Sequence, residues 1–110
     1  MIRREQLDRL GALAKLILDL RLADVQAAGK ARDQSLGHLR ALAAAPAQDL
    51  DPVAAALTDL RYQQWADLRR GEINLTLARQ TATWMEAQGR ARHAFGQAEV
   101  LQKLQSARRG

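Results

Sequence analysis

The two prolines of this 110-residue chain constrain its fold more than any other residues do. Pro46 and Pro52 lie close together, and long proline-free tracts flank them on both sides. A proline inside a helix removes a backbone donor and clashes with the preceding turn, at a cost of about 3 kcal/mol or more. The sequence therefore predicts a single domain, residues 1–110, made of a helix over 2–44, a turn over 45–51 and a helix over 52–107.

The composition favours helices on both sides of the prolines. Ala, Leu, Arg, Gln and Glu are abundant, aromatic residues make up only 4% of the chain, and Val, Ile and Thr are few. This usage is typical of long helices and coiled coils, and it leaves little material for strands. Asp51 is a good N-cap, and Pro52 suits the first helical position. We therefore expect an all-α fold, an antiparallel two-helix coiled-coil hairpin with unequal arms.

Apolar residues recur at spacings of three and four along both predicted helices, which is the pattern of a coiled-coil seam. The first seam runs through Leu7, Leu10, Ala14, Leu18, Leu22, Val25, Gly29, Arg32, Leu36, Leu39 and Ala43. The second runs through Val53, Leu57, Leu60, Gln64, Leu68, Gly71, Leu75, Ala78, Ala82 and Met85. We expect the two seams to face each other. With the turn centred near residue 48, the numbers of paired residues add up to about 96, which leaves residues from about 95 onward without a partner.

Both helices carry further apolar side chains on the side away from these seams. Contiguous exposed apolar patches of more than a few hundred Å² usually mark a binding surface. The predicted protein-binding residues are these outer side chains and the apolar and basic residues of the unpaired end, namely Leu13, Leu16, Leu20, Tyr62, Ile73, Leu77, Trp84, Phe95, Leu101, Leu104, Arg90, Arg92 and Lys103. Two alternatives stay open. A second copy covers the outer faces in a four-helix bundle with Ile73 and Trp84 in its core, or the chain forms a three-helix bundle broken near Gly71 or Gly89.

The formal net charge of +5 raises the question of a nucleic-acid partner. The basic residues are spread around both helices, and the aromatic residues lie on an apolar stripe, so base-stacking platforms are not indicated. The doublets Arg69-Arg70 and Arg108-Arg109 are shorter than the basic runs of nucleic-acid-binding proteins. We expect no nucleic-acid partner. The charges instead predict an acidic tip at Asp49, Asp51 and Asp59 and a basic end over residues 84–110.

The sequence holds no motif typical of an enzyme, a cofactor site or a metal site. It has no cysteine, no glycine-rich phosphate loop and no HExxH, and His38 and His93 are far apart in the predicted hairpin. Lys15, Asp19 and Arg21 interrupt the apolar stretch near the N-terminus, so we predict neither a signal peptide nor a stable membrane insertion. We expect a non-enzymatic protein of the cytoplasm without cofactors.

The chain closes with the segment WMEAQGRARHAFGQAEVLQKLQSARR, which includes a charged ending from Glu99 to Arg109, and it also carries the heptads and the aromatic pair Tyr62 and Trp65. In these features it resembles the FliJ family of flagellar type III export proteins and its injectisome counterparts. The resemblance implies a stalk that enters the central hole of the hexameric export ATPase and also contacts the export gate and export chaperones. It implies a ring-binding end at residues 90–109. The gate-binding surface would be Tyr62, Ile73, Leu77 and Trp84 with Leu13, Leu16 and Leu20.

The function expected first is therefore a coiled-coil adaptor in protein transport, an export-ATPase stalk of a flagellar or type III secretion apparatus. A self-associating helical bundle with a structural or regulatory role, formed for example by a homodimer, is the second interpretation. An accessory protein on nucleic acid or on a membrane surface is the third. Binding that weakens steeply with salt would distinguish the third from the other two.

Overall fold

The computed structural model describes residues 3–43 and 51–109, which form two helices. Helix α1 (Arg4–Leu42) has 39 residues and helix α2 (Pro52–Arg109) has 58. They pack along each other in opposite directions and form a rod of 82 × 21 × 15 Å. The predicted all-α hairpin with unequal arms is confirmed. Pro46, Asp49 and most of the predicted turn at 45–51 lie outside the described residues.

Local hydrogen bonds explain where the described helix ends fall. The Asp51 carboxylate accepts a hydrogen bond of 2.8 Å from the Ala54 amide, which has no partner inside the first turn of α2. Pro52 follows as the first helical residue, where its missing N–H costs nothing. At the end of α1, the Tyr62 hydroxyl donates to the Leu42 carbonyl over 3.0 Å. A side chain of α2 thus satisfies one of the last carbonyls of α1.

The pairing of the two helices differs from the predicted register. The Gln105 side chain donates to the Asp8 carboxylate over 3.1 Å, and the Arg32 guanidinium donates to the Thr81 hydroxyl over 3.1 Å. The residue numbers in these two pairs each add up to 113, whereas the expected sum was about 96. The prediction assumed that the turn is symmetric. A connection of nine residues, 43–51, allows other registers, so side-chain fit decides.

The shifted register moves the unpaired end of α2. Residues after 95, which were expected to lack a partner, lie against α1, where Leu101 and Gln105 are half-buried. Beyond them Arg109 reaches Asp8 at 3.5 Å. The segment 52–61 instead extends past the last turn of α1. The predicted C-terminal overhang is therefore wrong, and the longer arm extends at the other end of the molecule.

The face of α2 that packs on α1 also differs from the prediction. Leu57, Leu68 and Leu75 of the predicted seam are exposed, at 53%, 73% and 55%. The opposite face is buried instead, and its buried members are Ala66, Ile73, Ala87, Ala91 and Ala94. They meet a face of α1 whose buried members are Leu7, Gly11, Ala14, Ser35 and Leu42. Most of these side chains are small, so the two backbones approach closely and a leucine seam is not needed.

Candidate protein-binding surfaces

Four of the predicted binding residues lie between the helices and not on the outside. Ile73 is only 4% exposed, and Tyr62, Leu77 and Trp84 are half-buried against α1. Their expected placement on an outer face is wrong, for a geometric reason. They lie about 180° around α2 from the leucine seam, and the structure pairs that side with α1.

The contacts of Trp84 show how α1 accommodates a large ring. The Arg32 guanidinium carbon lies 5.3 Å from the centroid of the Trp84 ring, in a cation–π arrangement. Gly29 faces the indole, and a Cβ atom at that position would come within 3.3 Å of the indole nitrogen. The glycine that interrupts the first seam is therefore explained by the close approach of Trp84. One turn along, the Ser35 hydroxyl donates to the Gln80 side-chain oxygen over 2.5 Å.

The other apolar binding candidates do face outward or line the rim of the interface. Leu13, Leu16 and Leu20 are all more than half exposed on α1, and Leu20 reaches 66%. Phe95 and Leu104 of α2 are also at least half exposed, whereas Leu101 is half-buried. These residues share one end of the rod with Arg90, Arg92 and Lys103.

An apolar groove runs between the two helices near this end. Its volume is about 720 Å³. Leu10, Leu13 and Ile17 form one wall on α1, and Val100 and Leu101 form the other on α2. The remaining lining residues are Ala14, Arg92, His93, Gly96 and Gln97. We call this feature the terminal groove.

The terminal groove lies in the basic part of the molecule. Residues 3–19 and 90–109, which we call the terminal end, hold nine basic and four acidic side chains. Their balance of +5 equals the formal net charge of the whole chain. Arg109 contacts Asp8 at 3.5 Å and Arg90 contacts Glu86 at 3.7 Å, and all four side chains are substantially exposed. Such exposed pairs add little stability, so the positive field of this end extends into solvent.

A second apolar surface lies on the side of α2 away from α1. We call it the outer seam, and it consists of Val53, Leu57, Leu60, Gln64, Leu68, Gly71, Leu75, Ala78, Ala82 and Met85. Its six large apolar side chains are all more than half exposed. Trp65 lies at its edge, with its ring centroid 5.8 Å from that of Tyr62. The outer seam has the three-and-four spacing of a coiled coil but no helix against it in the described part of the chain.

Sequence reasoning missed the terminal groove because the groove depends on the register. Leu10 was assigned to the first seam, facing the second helix, and Val100 to the unpaired end, so nothing in the pattern joined them. One signal was available: Ala87, Ala91 and Ala94 recur at spacings of four and three. Alanines at helical spacing indicate a closely packed face, and that face places residues 94–105 beside the start of α1.

The described residues show neither a metal site nor a transmembrane segment. Among residues 3–43 and 51–109, no three His, Asp or Glu side chains are grouped so that they could hold a metal ion. Neither described helix combines the length and apolar character needed to cross a membrane.

Comparison with known proteins gives no match to a family model, to a curated protein or to a solved structure. The resemblance to the FliJ family therefore stands on the sequence pattern alone.

Proposed function

We propose that this chain is a non-enzymatic coiled-coil adaptor that binds an acidic amphipathic helix of a protein partner in the terminal groove. The observation that carries this proposal is the groove itself, an open apolar groove of about 720 Å³ in the most basic part of the molecule. An isolated hairpin would leave the apolar side chains of the terminal groove in water.

The shape of the groove suits a helix. Its walls are two antiparallel helices that lie side by side, and Leu10, Leu13 and Ile17 follow the three-and-four spacing of a single helical face. Amphipathic helices bind in grooves of this kind through apolar residues at helical spacing. Leu13 is 52% exposed and Val100 is 57% exposed, so both can gain contacts on binding.

The charge of the terminal end selects an acidic partner. Arg92 lines the groove, and Lys103 lies on the same side of α2 because eleven residues make about three full turns. A helix with acidic residues beside its apolar face would be attracted to this end, and its association would slow as salt is added. A second copy of the terminal end would be repelled by the same field.

The resemblance to the FliJ family suggests which partner to test first. We propose the hexameric export ATPase as the principal partner, with the export gate and export chaperones as further ones, in the cytoplasm of a flagellar or type III secretion apparatus. Binding would act without covalent chemistry. Preferential binding of the adaptor to the assembled ATPase ring would shift the ATPase toward its hexamer and raise ATP turnover.

The test uses the purified flagellar export ATPase of the same organism, with and without this protein. We expect the protein to raise both the hexamer fraction and the ATPase rate. The double variant Leu13→Asp, Val100→Asp should lose both effects because it places two carboxylates in the groove. The matched control is the double variant Ala27→Asp, Gln34→Asp, which places two carboxylates on exposed positions of α1 outside the terminal groove and the outer seam and should act like the parent. If the parent protein changes neither quantity, the ATPase partner is wrong.

A further inference from the structure

We propose that two copies of this chain pair in antiparallel orientation through the outer seam of α2. This pairing goes beyond the binding of a partner in the terminal groove and uses a different surface. It stands or fails independently of that proposal.

The outer seam has the size of an interface. Val53 and Met85 mark its ends, about 48 Å apart along the helix axis. Six large apolar side chains on it are more than half exposed. Together they form an apolar strip along the whole of this length of α2. One further helix of similar length would cover the strip.

The order of large and small residues along the seam is self-complementary. Its first half carries mostly large side chains, whereas its second half includes Gly71, Ala78 and Ala82. If two seams run in opposite directions, with paired residue numbers adding up to about 139, a large side chain meets a small one in three of the five residue pairs along the seam. These three pairs are Leu57 with Ala82, Leu60 with Ala78 and Leu68 with Gly71, and the other two are Gln64 with Leu75 and Val53 with Met85.

Gly71 supports this arrangement. A glycine inside a helix is unfavourable because of its backbone freedom. Among the described residues, no atom lies within 4 Å of the position that a Cβ atom of Gly71 would occupy, apart from its own helix backbone and sequence neighbours. Packing among residues 3–43 and 51–109 of one chain therefore does not require this glycine. In the antiparallel pair it provides the space for Leu68 of the second copy. A parallel pair would instead set Gly71 against Gly71 and leave a gap.

The charges favour a second copy over an acidic partner at this surface. Residues 51–80 hold four acidic and four basic side chains, so two such segments do not repel each other by net charge. Antiparallel pairing also keeps the two basic terminal ends at opposite ends of the assembly, whereas a parallel pair would place them side by side. One unfavourable contact remains, because Arg61 of one copy lies beside Arg79 of the other.

Sedimentation equilibrium of the full chain over a wide concentration range tests the pairing. We expect a reversible dimer with twice the 12.2 kDa mass of one chain. Leu68→Asp should raise the dimer dissociation constant roughly tenfold or more. Leu20→Asp is the matched control, since Leu20 is similarly exposed but lies on α1, and it should leave the constant unchanged. Arg61→Glu should lower the constant, because it replaces a repulsive pair by an attractive one.

A distance measurement tests the orientation. The chain has no cysteine, so Asp59→Cys carries a single spin label. The antiparallel pair places the two labelled positions about 32 Å apart along the axis, whereas a parallel pair places them at the same height, about 10 Å apart. The short distance would overturn the antiparallel pair. A monomer at every concentration, or equal weakening by Leu68→Asp and Leu20→Asp, would overturn the outer seam as the interface.

Discussion

The two faces of α2 share an apolar period, but only one of them packs on α1. The inner face carries Ala87, Ala91 and Ala94 with a few larger residues, whereas the outer seam is rich in leucine. Burying a leucine removes more apolar area from water than burying an alanine does. If the amount of apolar surface alone decided the pairing, the outer seam would face α1. It remains exposed, so another property decides.

That property is the fit between the inner face and α1. Small side chains on both helices let the backbones approach closely. The larger residues of the inner face have specific partners: the Trp84 ring lies over Gly29 beside Arg32, and the Tyr62 hydroxyl reaches the Leu42 carbonyl. The leucines of the outer seam have no such complement on α1. Close fit and satisfied polar groups therefore distinguish the inner face, and the outer seam stays exposed.

The largest difference in stability between the two faces of α2 is expected when one large residue on each face is replaced by alanine. Ile73→Ala should lower the free energy of unfolding by about 2 to 5 kcal/mol, because it removes a buried side chain and leaves a cavity. Leu75→Ala should change it by about 0.5 kcal/mol or less, since Leu75 is exposed. Urea denaturation followed by circular dichroism, at the lowest practical concentration so that self-association does not contribute, measures both. Equal losses would mean that the faces are not distinct.

A smaller effect is expected from enlarging an alanine on each face. Ala91→Leu should lower the free energy of unfolding by about 1 to 3 kcal/mol, because the extra atoms must push the helices apart. Ala78→Leu on the outer seam should be within about 0.5 kcal/mol of the parent. The same denaturation experiment applies. A neutral Ala91→Leu variant would show that close helix approach does not explain why the inner face is chosen.

The smallest effect concerns the exposed glycine of the outer seam. Gly71→Ala should raise the free energy of unfolding of the single chain by about 0.5 to 1 kcal/mol, because alanine is the better helix former and its Cβ atom would clash with nothing in the part of the chain that the structure describes. Gly37→Ala is the control, since its Cβ would also lie in open space. Gly37→Ala should leave self-association unchanged, whereas Gly71→Ala should weaken it. If both variants associate like the parent, Gly71 is not at an interface.

The fold class could be predicted from residue types because it depends on local preferences. Two clustered prolines exclude a continuous helix, and the rest of the chain favours helix almost everywhere. The start of α2 follows from Asp51 and Pro52, whose capping and ring geometry act within one turn. The outward placement of Leu13, Leu16 and Leu20 also followed from spacing, because the seam of α1 was assigned nearly correctly.

The pairing face of α2 and the register could not be predicted in the same way. Spacing alone does not decide which of two apolar stripes with the same period packs on α1. Tyr62, Ile73, Leu77 and Trp84 were therefore placed on the wrong side of α2. The terminal groove needs Leu10 and Val100 on neighbouring helices, and only the shifted register brings them together. A symmetric turn was the simplest assumption, but the connection is long enough for other solutions.

The sequence by itself determined two helices, their approximate lengths, the basic C-terminal segment and an excess of apolar stripes over what a hairpin can bury. These follow from prolines, helix propensity and composition, which act over a few residues at a time. Only the tertiary structure decided which stripe is core and which is surface. That choice depends on contacts between residues such as Gly29 and Trp84, or Asp8 and Gln105, that are distant in the chain. Shape and polar complementarity across such distances are properties of the packed pair and not of either helix alone.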